Sequence, residues 1–291
     1  MGESIIMITA SVVIFNSNQE ELTSLLKSIE NSNCIERLFV IDNNSSDKSK
    51  QFFERSSFSS HIEYIPHENT GYGASHNIAL HKAVELNSDY HLVLNPDIEF
   101  APDVLSKLVA YMDNNKDVVY MLPKVTYPNG ELQYLCKLLP TPADLILRRF
   151  LPNSDWKRKK AALYSLQHSG YDRIMNPPCL SGCFMFMRVS ALKENNIFFD
   201  ERYFMYLEDF DLMRRLHRVG KTIFYPEVTI IHNHAKESYK RKKMLMIHIK
   251  SAIHYFNKWG WIFDRERKEM NKKILDEIRN FYDPLDKDEF Y

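Results

Sequence analysis

Short apolar runs alternate with helically spaced ones along the first part of the chain. Ile8 to Phe15 (ITASVVIF) is rich in β-branched residues and predicts a strand, after which Leu22, Leu25, Leu26 and Ile29 recur at helical spacing. Leu38 to Ile41 predicts a second buried strand ending in the polar cluster Asp42-Asn43-Asn44-Ser45-Ser46-Asp47, and Ile62 to Ile65 a weaker third. A helix entered through a glycine-containing turn is expected over Gly71 to Leu86. His91 to Leu94 is then a strand stopped by Asn95-Pro96-Asp97, followed by a helix over Pro102 to Met112 and a strand over Val118 to Leu122. Strands and helices in this alternation imply βαβ units and a parallel sheet.

The regularity then fades. Pro128-Asn129-Gly130 is a turn signal suited to a hairpin, and residues 140–170 mix Pro, Arg and Lys without a period, as an insertion would. A compact pattern resumes with a strand over Leu180 to Met187 and helical spacing over Ala191 to Asn195. Glu208 to Val219 predicts a helix capped by Gly220, and Ile223 to Pro226 a strand. His232 and His234 follow, then a basic, apolar helical pattern over Met244 to Trp261 and an acidic, frayed tail from Asp283 to Tyr291.

Composition narrows the class. The chain has 291 residues, 44% hydrophobic and 26% charged, which excludes disorder and allows one large domain or two small ones. Cys34 and Cys136 stand alone, and Cys179 and Cys183 are poorly spaced for zinc, so all four are expected to be reduced core residues in a cytoplasmic setting. No apolar run approaches the ~18 residues of a membrane span. Met1 to Ala10 carries Glu3 and no basic residue, unlike a signal peptide. Net charge is zero, which disfavours a dedicated nucleic-acid binder. Residues 1–147 nevertheless hold 10 basic and 19 acidic side chains against 28 and 19 in residues 148–291, which suggests an anionic ligand or surface on the carboxyl-terminal side.

In an open α/β sheet, ligands bind outside the carboxyl ends of the strands. Three predicted strand ends are strongly polar: Asn16 to Asn18, Asp42 to Asp47, and Asn95 to Asp97. Each alone is also explained by ordinary turn chemistry. Asn69-Thr70-Gly71-Tyr72-Gly73-Ala74-Ser75-His76-Asn77 superficially matches a dinucleotide fingerprint, but it follows the third strand and places His76 where the last glycine belongs. Gly71 and Gly73 leave room for a ligand to approach the backbone, or serve a plain helix-entry turn.

The order of motifs, a strand into IDNNSSD, then ENTGYGASHN, NPDI, SGCFMFMR, FMYLEDFDLMRRL and IIHNHAKES, resembles the inverting family 2 glycosyltransferases over approximately Ile8 to Ser238. Within that family it is most similar to rhamnosyltransferases of O-antigen and other surface-polysaccharide assembly. The resemblance implies a GT-A fold, an α/β Rossmann-like mixed sheet flanked by helices, over residues 1–238 with the insertion at about 140–170. Residues 239–291 would form a basic helical extension. It also implies transfer of a sugar, rhamnose from dTDP-rhamnose, from a dTDP- or UDP-linked donor to a polyprenyl-diphosphate-linked glycan at the inner face of the cytoplasmic membrane. Asp209 would be the catalytic base, with Glu208 supporting it or contacting the acceptor. Asp97 and His232 would hold Mg2+ or Mn2+, His234 being the lesser candidate. Asn95-Pro96-Asp97 departs from the family's DXD motif, since only the second acid is present. Asp42 would bind the pyrimidine base, with Phe15 and Asn16 lining its pocket. Asn69, Gly73, Asn77 and Asn95 would approach the base or phosphates, and Gly182 would leave room beside the reacting sugars.

The residues themselves are compatible with this chemistry and with simpler roles. Departure of a nucleoside diphosphate builds negative charge that a hard cation stabilises, and attack by a hydroxyl needs a carboxylate base. Asp209 would open a helix whose macrodipole favours its charged form. His232 could instead be a hydrogen-bonded core histidine. Asp211 is expected to pair with Arg214 or Arg215 one turn along. Lys236, Lys240, Arg241, Lys242 and Lys243 before Met244 to Trp261, with Arg148, Arg149 and Lys157 to Lys160, suit either an interfacial segment on anionic lipid or a charged face over a core-covering helix. A second class remains open: a non-catalytic nucleotide-sugar or glycan-binding subunit on the same fold, suggested by Asn95.

Overall fold

The computed structural model describes residues 6–45, 47–55, 59–145, 154–233 and 242–281. The strands are β1 (Ile8–Ile14), β2 (Ile35–Asp42), β3 (Ile62–Pro66), β4 (Tyr90–Leu94), β5 (Ile98–Phe100), β6 (Val118–Thr126), β7 (Cys136–Lys137), β8 (Cys179–Leu180), β9 (Phe184–Arg188) and β10 (Lys221–His232). The helices are α1 (Gln19–Ser32), α2 (Asp47–Glu54), α3 (Tyr72–Glu85), α4 (Val104–Asn114), α5 (Asp155–Tyr164), α6 (Val189–Asn195), α7 (Glu208–Val219), α8 (Lys242–Trp259) and α9 (Arg265–Phe281). The expected acidic tail, His234, Arg148, Arg149, Lys236, Lys240 and Arg241 lie outside the described residues.

Eight strands form one sheet in the order β3-β2-β1-β4-β9-β6-β10-β5. The expected parallel arrangement holds for β1 with β2 and β4, and for β2 with β3. Beyond β4 the sheet is mixed: β9 runs antiparallel to β4 and β6, and β10 runs parallel to β6 but antiparallel to β5. Consequently the carboxyl ends of β1, β2 and β4, the amino end of β9 and the β5–β10 junction share one edge of the sheet. β4 is buried at every position, as a central strand covered on both faces must be.

Two predicted elements differ in form. Leu180 to Met187 is not one strand: the chain leaves the ladder between β8 and β9, because the Ser181 and Gly182 carbonyls accept from Tyr120 Oη (2.8 Å) and Tyr72 Oη (2.9 Å) instead of from a neighbouring strand. β10 runs on past Pro226 to His232 through an irregularity between Tyr225 and Thr229, where a proline costs no ladder bond. The turn at Pro128-Asn129-Gly130 exists, with Gly130 at φ 84°, but supports a single bridge between Thr126 and Leu132 rather than an extended hairpin. Gly220 does cap α7, yet its backbone is extended at φ −174°. Glycine is required there by crowding, since a Cβ would lie 2.3 Å from Val119 Cγ1.

The carboxyl-terminal helices are continuous with the main core, to which Ala252, Tyr255 and Phe256 of α8 and Ile274 and Ile278 of α9 contribute. A buried ionic cluster fixes them to α7. Arg214 donates from Nη1 and Nη2 to both Asp264 oxygens at 2.7 and 2.6 Å, reaches Glu266 from Nε at 2.8 Å, and stacks 4.2 Å from the Trp259 ring centre. Asp211 pairs with Arg215 at 2.9 Å, one of its two expected partners, and also accepts from Trp259 Nε1 and Lys258 Nζ. All four cysteines carry free thiols, three of them buried.

Arg214 and Asp264 are both almost fully enclosed, so removing Arg214 leaves the Asp264 carboxylate buried with only the Arg267 guanidinium, at 3.9 Å, and one backbone N–H beside it. Arg214→Met is expected to lower unfolding free energy by about 3–5 kcal/mol in urea titrations, and adding Asp264→Leu to recover part of that loss. Identical midpoints for wild type and the single variant would contradict this account.

Candidate active site

The polar strand ends meet at the shared edge. Asp42 closes β2, is buried, and accepts from Tyr64 Oη and, at 2.7 Å, from Ser45 N, which holds the turn after the strand. Asn16, at φ 52°, donates its N–H to Ser45 Oγ (3.0 Å), so the ends of β1 and β2 are tied together beside the exposed Phe15 ring. Asn43 accepts from Ser75 Oγ of α3 at 2.7 Å.

Asp97 and His232 are brought together by the antiparallel pairing of β5 with β10, which sets His232 opposite Ile98. His232 Nε2 lies 3.4 Å from Asp97 Oδ1 and 3.4 Å from Asn95 Nδ2. The other ring nitrogen is held by Gln133. Gln133 Nε2 donates to the His232 carbonyl at 2.7 Å, which orients its amide so that Oε1 faces His232 Nδ1 at 3.0 Å. The Gln133 oxygen thus claims the Nδ1 proton, and Nε2 is left facing Asn95 and Asp97. Glu21, in the first turn of α1, senses the same place: burial and the Asp97 charge raise its pKa, while His232 opposes them.

Tyr72 links this cluster to the second one. Its hydroxyl faces Asn95 Oδ1 at 3.0 Å and the Gly182 carbonyl at 2.9 Å, and its pKa is raised well above the ordinary value by burial and then by Glu208, Cys183, Asp209 and Asp97. The chain enters α3 through Gly71, at φ 106°, where a Cβ would sit 2.1 Å from the Phe204 carbonyl oxygen. No other residue fits.

Gly182 faces Asp209: a Cβ there would lie 3.2 Å from Asp209 Cβ. Asp209 and Glu208 begin α7 after two consecutive non-glycine residues in the left-handed region, Tyr206 at φ 70° and Leu207 at φ 66°. Such backbone costs about 1–3 kcal/mol per residue and persists where surroundings enforce it. Burial pushes the Glu208 carboxyl up to about 8, with the Asp209 charge adding to it, and Glu208 Oε2 has no hydrogen-bond partner among the described residues. Asp209 is also raised by burial, which works against the helix macrodipole expected to favour its charged form. Lys137 and the N–H groups of Phe210 and Gly182 oppose that shift. The pair is thus divided, with the first proton on Glu208 and the charge on Asp209.

Other expected site residues are placed differently. Asn77 is buried on α3, where its amide donates to the Phe199 carbonyl and Glu201 Oε1, both at 2.9 Å, and its oxygen accepts from Phe199 N at 2.9 Å. Gly73 serves the same contact, since a Cβ would meet the Phe199 side chain at 2.9 Å. Neither belongs to the clusters around Asp97 and Asp209. Asn69 is exposed in the loop before α3. His76 is buried and bonded to Ser11 Oγ at 2.8 Å. Sequence reading did not single out Tyr72, Gln133, Lys137 or Glu21. Only the position of Tyr72 between Gly71 and Gly73 offered a signal.

Among the described residues no three or more His, Cys, Asp or Glu side chains form a metal cluster. Asp97 and His232 together still provide a hard oxygen and an oriented imidazole nitrogen. That is a fitting partial set for a cation that completes its shell from a diphosphate and water.

The model of glycosyl transferase family 2 matches residues 9–195. Rhamnosyltransferase WbbL of Escherichia coli (strain K12) is 26% identical over 281 residues, covering 94% of this chain and 98% of the relative. An N-acetylglucosaminyl-diphospho-decaprenol L-rhamnosyltransferase of Mycobacterium tuberculosis (strain CDC 1551 / Oshkosh) is 26% identical over 57% of each chain. Among solved structures, S. aureus TarS 1-349 in complex with UDP superposes with a TM-score of 0.58 at 17% identity, over 97% of this chain and 74% of that one. GalNAc-T7 with UDP, GalNAc and Mn2+ gives 0.60 at 12% identity, over 96% and 57%. These likenesses establish the GT-A fold expected from the order of motifs. With the family model spanning well over half its length, the chain belongs to glycosyl transferase family 2 and is a glycosyltransferase.

Proposed function

We propose that the protein transfers rhamnose, with inversion, from dTDP-rhamnose to a hydroxyl of a glycan carried on polyprenyl diphosphate. The setting is surface-polysaccharide assembly of the O-antigen kind, at the inner face of the cytoplasmic membrane. The observation that carries this reading is the continuous path His232–Asn95–Tyr72–Gly182–Asp209, which joins a diphosphate-side cluster to a base-side cluster. The named activity of the full-length E. coli relative supports the donor sugar, and that of the mycobacterial relative supports the lipid-linked acceptor.

The mechanism assigns each group a task. The nucleotide rests against the ends of β1 and β2, where each Asp42 oxygen keeps a second lone pair for the pyrimidine edge. Asp97 and His232 would hold Mg2+ or Mn2+, which would supply positive charge to offset that of the departing diphosphate. Asp209, ionised and set against the open face of Gly182, accepts the proton of the acceptor hydroxyl as its oxygen attacks the anomeric carbon. Glu208, holding its proton beside it, keeps the pair at a single negative charge. The Lys137 charge opposes the burial that raises Asp209 and so favours its ionised form.

Three outcomes are expected. Asp209→Asn binds donor in thermal-shift titrations but loses transfer by about 10²–10⁴-fold, the usual contribution of a positioned base; near-normal turnover would remove Asp209 from its role. Gln133→Leu weakens Mn2+ binding to the nucleotide-loaded protein by about tenfold or more, measured by electron paramagnetic resonance of free Mn2+. An unchanged affinity means that Gln133 does not orient the metal-side imidazole. The third concerns pH. Glu208 keeps its proton in the folded protein up to about 8 but releases it near 4.5 when unfolded, so its contribution to stability is complete below 4.5 and is lost as pH rises to 8. Glu208→Gln therefore gains stability over wild type progressively across that window, as read from urea midpoints, and parallel curves would refute the assignment.

A further inference from the structure

α8 has two faces. Ser251, Ala252, Tyr255 and Phe256 are buried, and Ser251 Oγ donates to the Met205 carbonyl just before the active-site helix α7. The outer face exposes Met246 (64%), Ile249 and Ile253, which recur at helical spacing, with exposed Lys243 and Lys250 between and beside them. No acidic residue occurs anywhere in α8.

The strip continues past the helix. Trp261 Nε1 donates to Asn257 Oδ1 (2.9 Å), one turn beyond Ile253, and the next two side chains, Ile262 at 73% and Phe263 at 91%, are among the most exposed apolar groups described. This tip is firmly built. Gly260 turns the chain at φ 101°, where a Cβ would lie 2.8 Å from the Phe263 carbonyl oxygen. Asp264, immediately after the tip, is gripped by Arg214 of α7. Fixing three consecutive apolar side chains in water has a cost that calls for an apolar partner.

We propose that Met246, Ile249, Ile253 and the tip of Trp261, Ile262 and Phe263 dock on an anionic lipid bilayer, with the tip entering the headgroup region and Lys243 and Lys250 meeting the lipid charges. Charge decides the occupant. In a two-fold dimer through this face the same basic strip would face itself, whereas an anionic surface complements it. No described helix is long and apolar enough to cross a membrane, so the contact is one of lying on the surface. Because Arg214 ties the tip to α7, docking also fixes the height of Asp209 above the bilayer. This inference deepens the membrane part of the proposed function but rests on exposure and charge rather than on the sugar transferred.

The test uses the full chain with vesicles of phosphatidylethanolamine and phosphatidylglycerol, compared with phosphatidylcholine alone, read by co-sedimentation. Ile262→Asp with Phe263→Asp is expected to weaken binding by roughly tenfold or more, and Lys243→Glu with Lys250→Glu to abolish the preference for the anionic vesicles. Leu86→Asp, at an exposed apolar residue away from the strip, should bind as wild type does. Circular dichroism checks the fold, and Phe263→Ser serves if the double variant unfolds. Undiminished sedimentation of folded tip variants overturns the proposal. So does a wild-type dimer, seen by sedimentation equilibrium, that the tip substitutions dissociate. Donor hydrolysis in vesicle-free solution reports separately on the active site: its absence with vesicle binding intact defeats the functional reading and leaves the docking surface standing.

Discussion

One buried hydroxyl holds the site together. Tyr72 Oη has a single proton to give and two acceptors within reach, Asn95 at the end of β4 and Gly182 in the break between β8 and β9. These groups stand far apart along the chain, and neither would keep its position alone. The break exists only because the Ser181 and Gly182 carbonyls find tyrosine partners instead of ladder bonds, and it is the break that opens the backbone in front of Asp209. Burial and the surrounding acids keep the phenol protonated, so the link remains a donor across the physiological range.

The two halves of the site are held by different physics. On the diphosphate side, strand pairing does the positioning: β5 against β10 sets His232 beside Asp97, and the Gln133 amide then selects which imidazole nitrogen faces inward. Mainly on the base side, positioning comes from strain and ionic clamps. Two left-handed residues bend the chain into α7, and Arg214, Asp211 and Trp259 bind that helix to the carboxyl-terminal pair. An enclosed ionic cluster is a costly way to join helices compared with apolar packing. Here it ties α7 to the chain's exposed apolar tip.

Protonation follows from the same enclosure. Two adjacent carboxyls in a water-poor place cannot both ionise cheaply, and their surroundings differ: Glu208 meets burial and its neighbour's charge, whereas Asp209 has Lys137 and two backbone N–H groups. The division between proton holder and proton acceptor is therefore a property of the folded pair rather than of either residue type.

The alternation of β-branched and helical patterns determined the β1 to β4 region, and turn chemistry after each strand marked Asp42, Asn95 to Asp97 and Asn16, because period and turn preference are local properties. The Glu208-Asp209 pair at a helix start was legible for the same reason. What local pattern could not carry was any contact between distant segments. β5 is three residues long and did not announce itself, and α9 was expected only as an unbounded part of the basic helical extension, since its apolar stripe is narrow in a charged sequence. The roles of Tyr72, Gln133, Lys137 and Glu21 arise from neighbours dozens of positions away. Asn77 and Gly73, which looked suited to a ligand, face Phe199 because the tertiary fold packed that side of α3 against it. Sequence thus determined which chemistry was present and on which elements; packing alone decided which groups meet, since hydrogen bonds and burial are settled by spatial neighbours that a linear pattern does not contain.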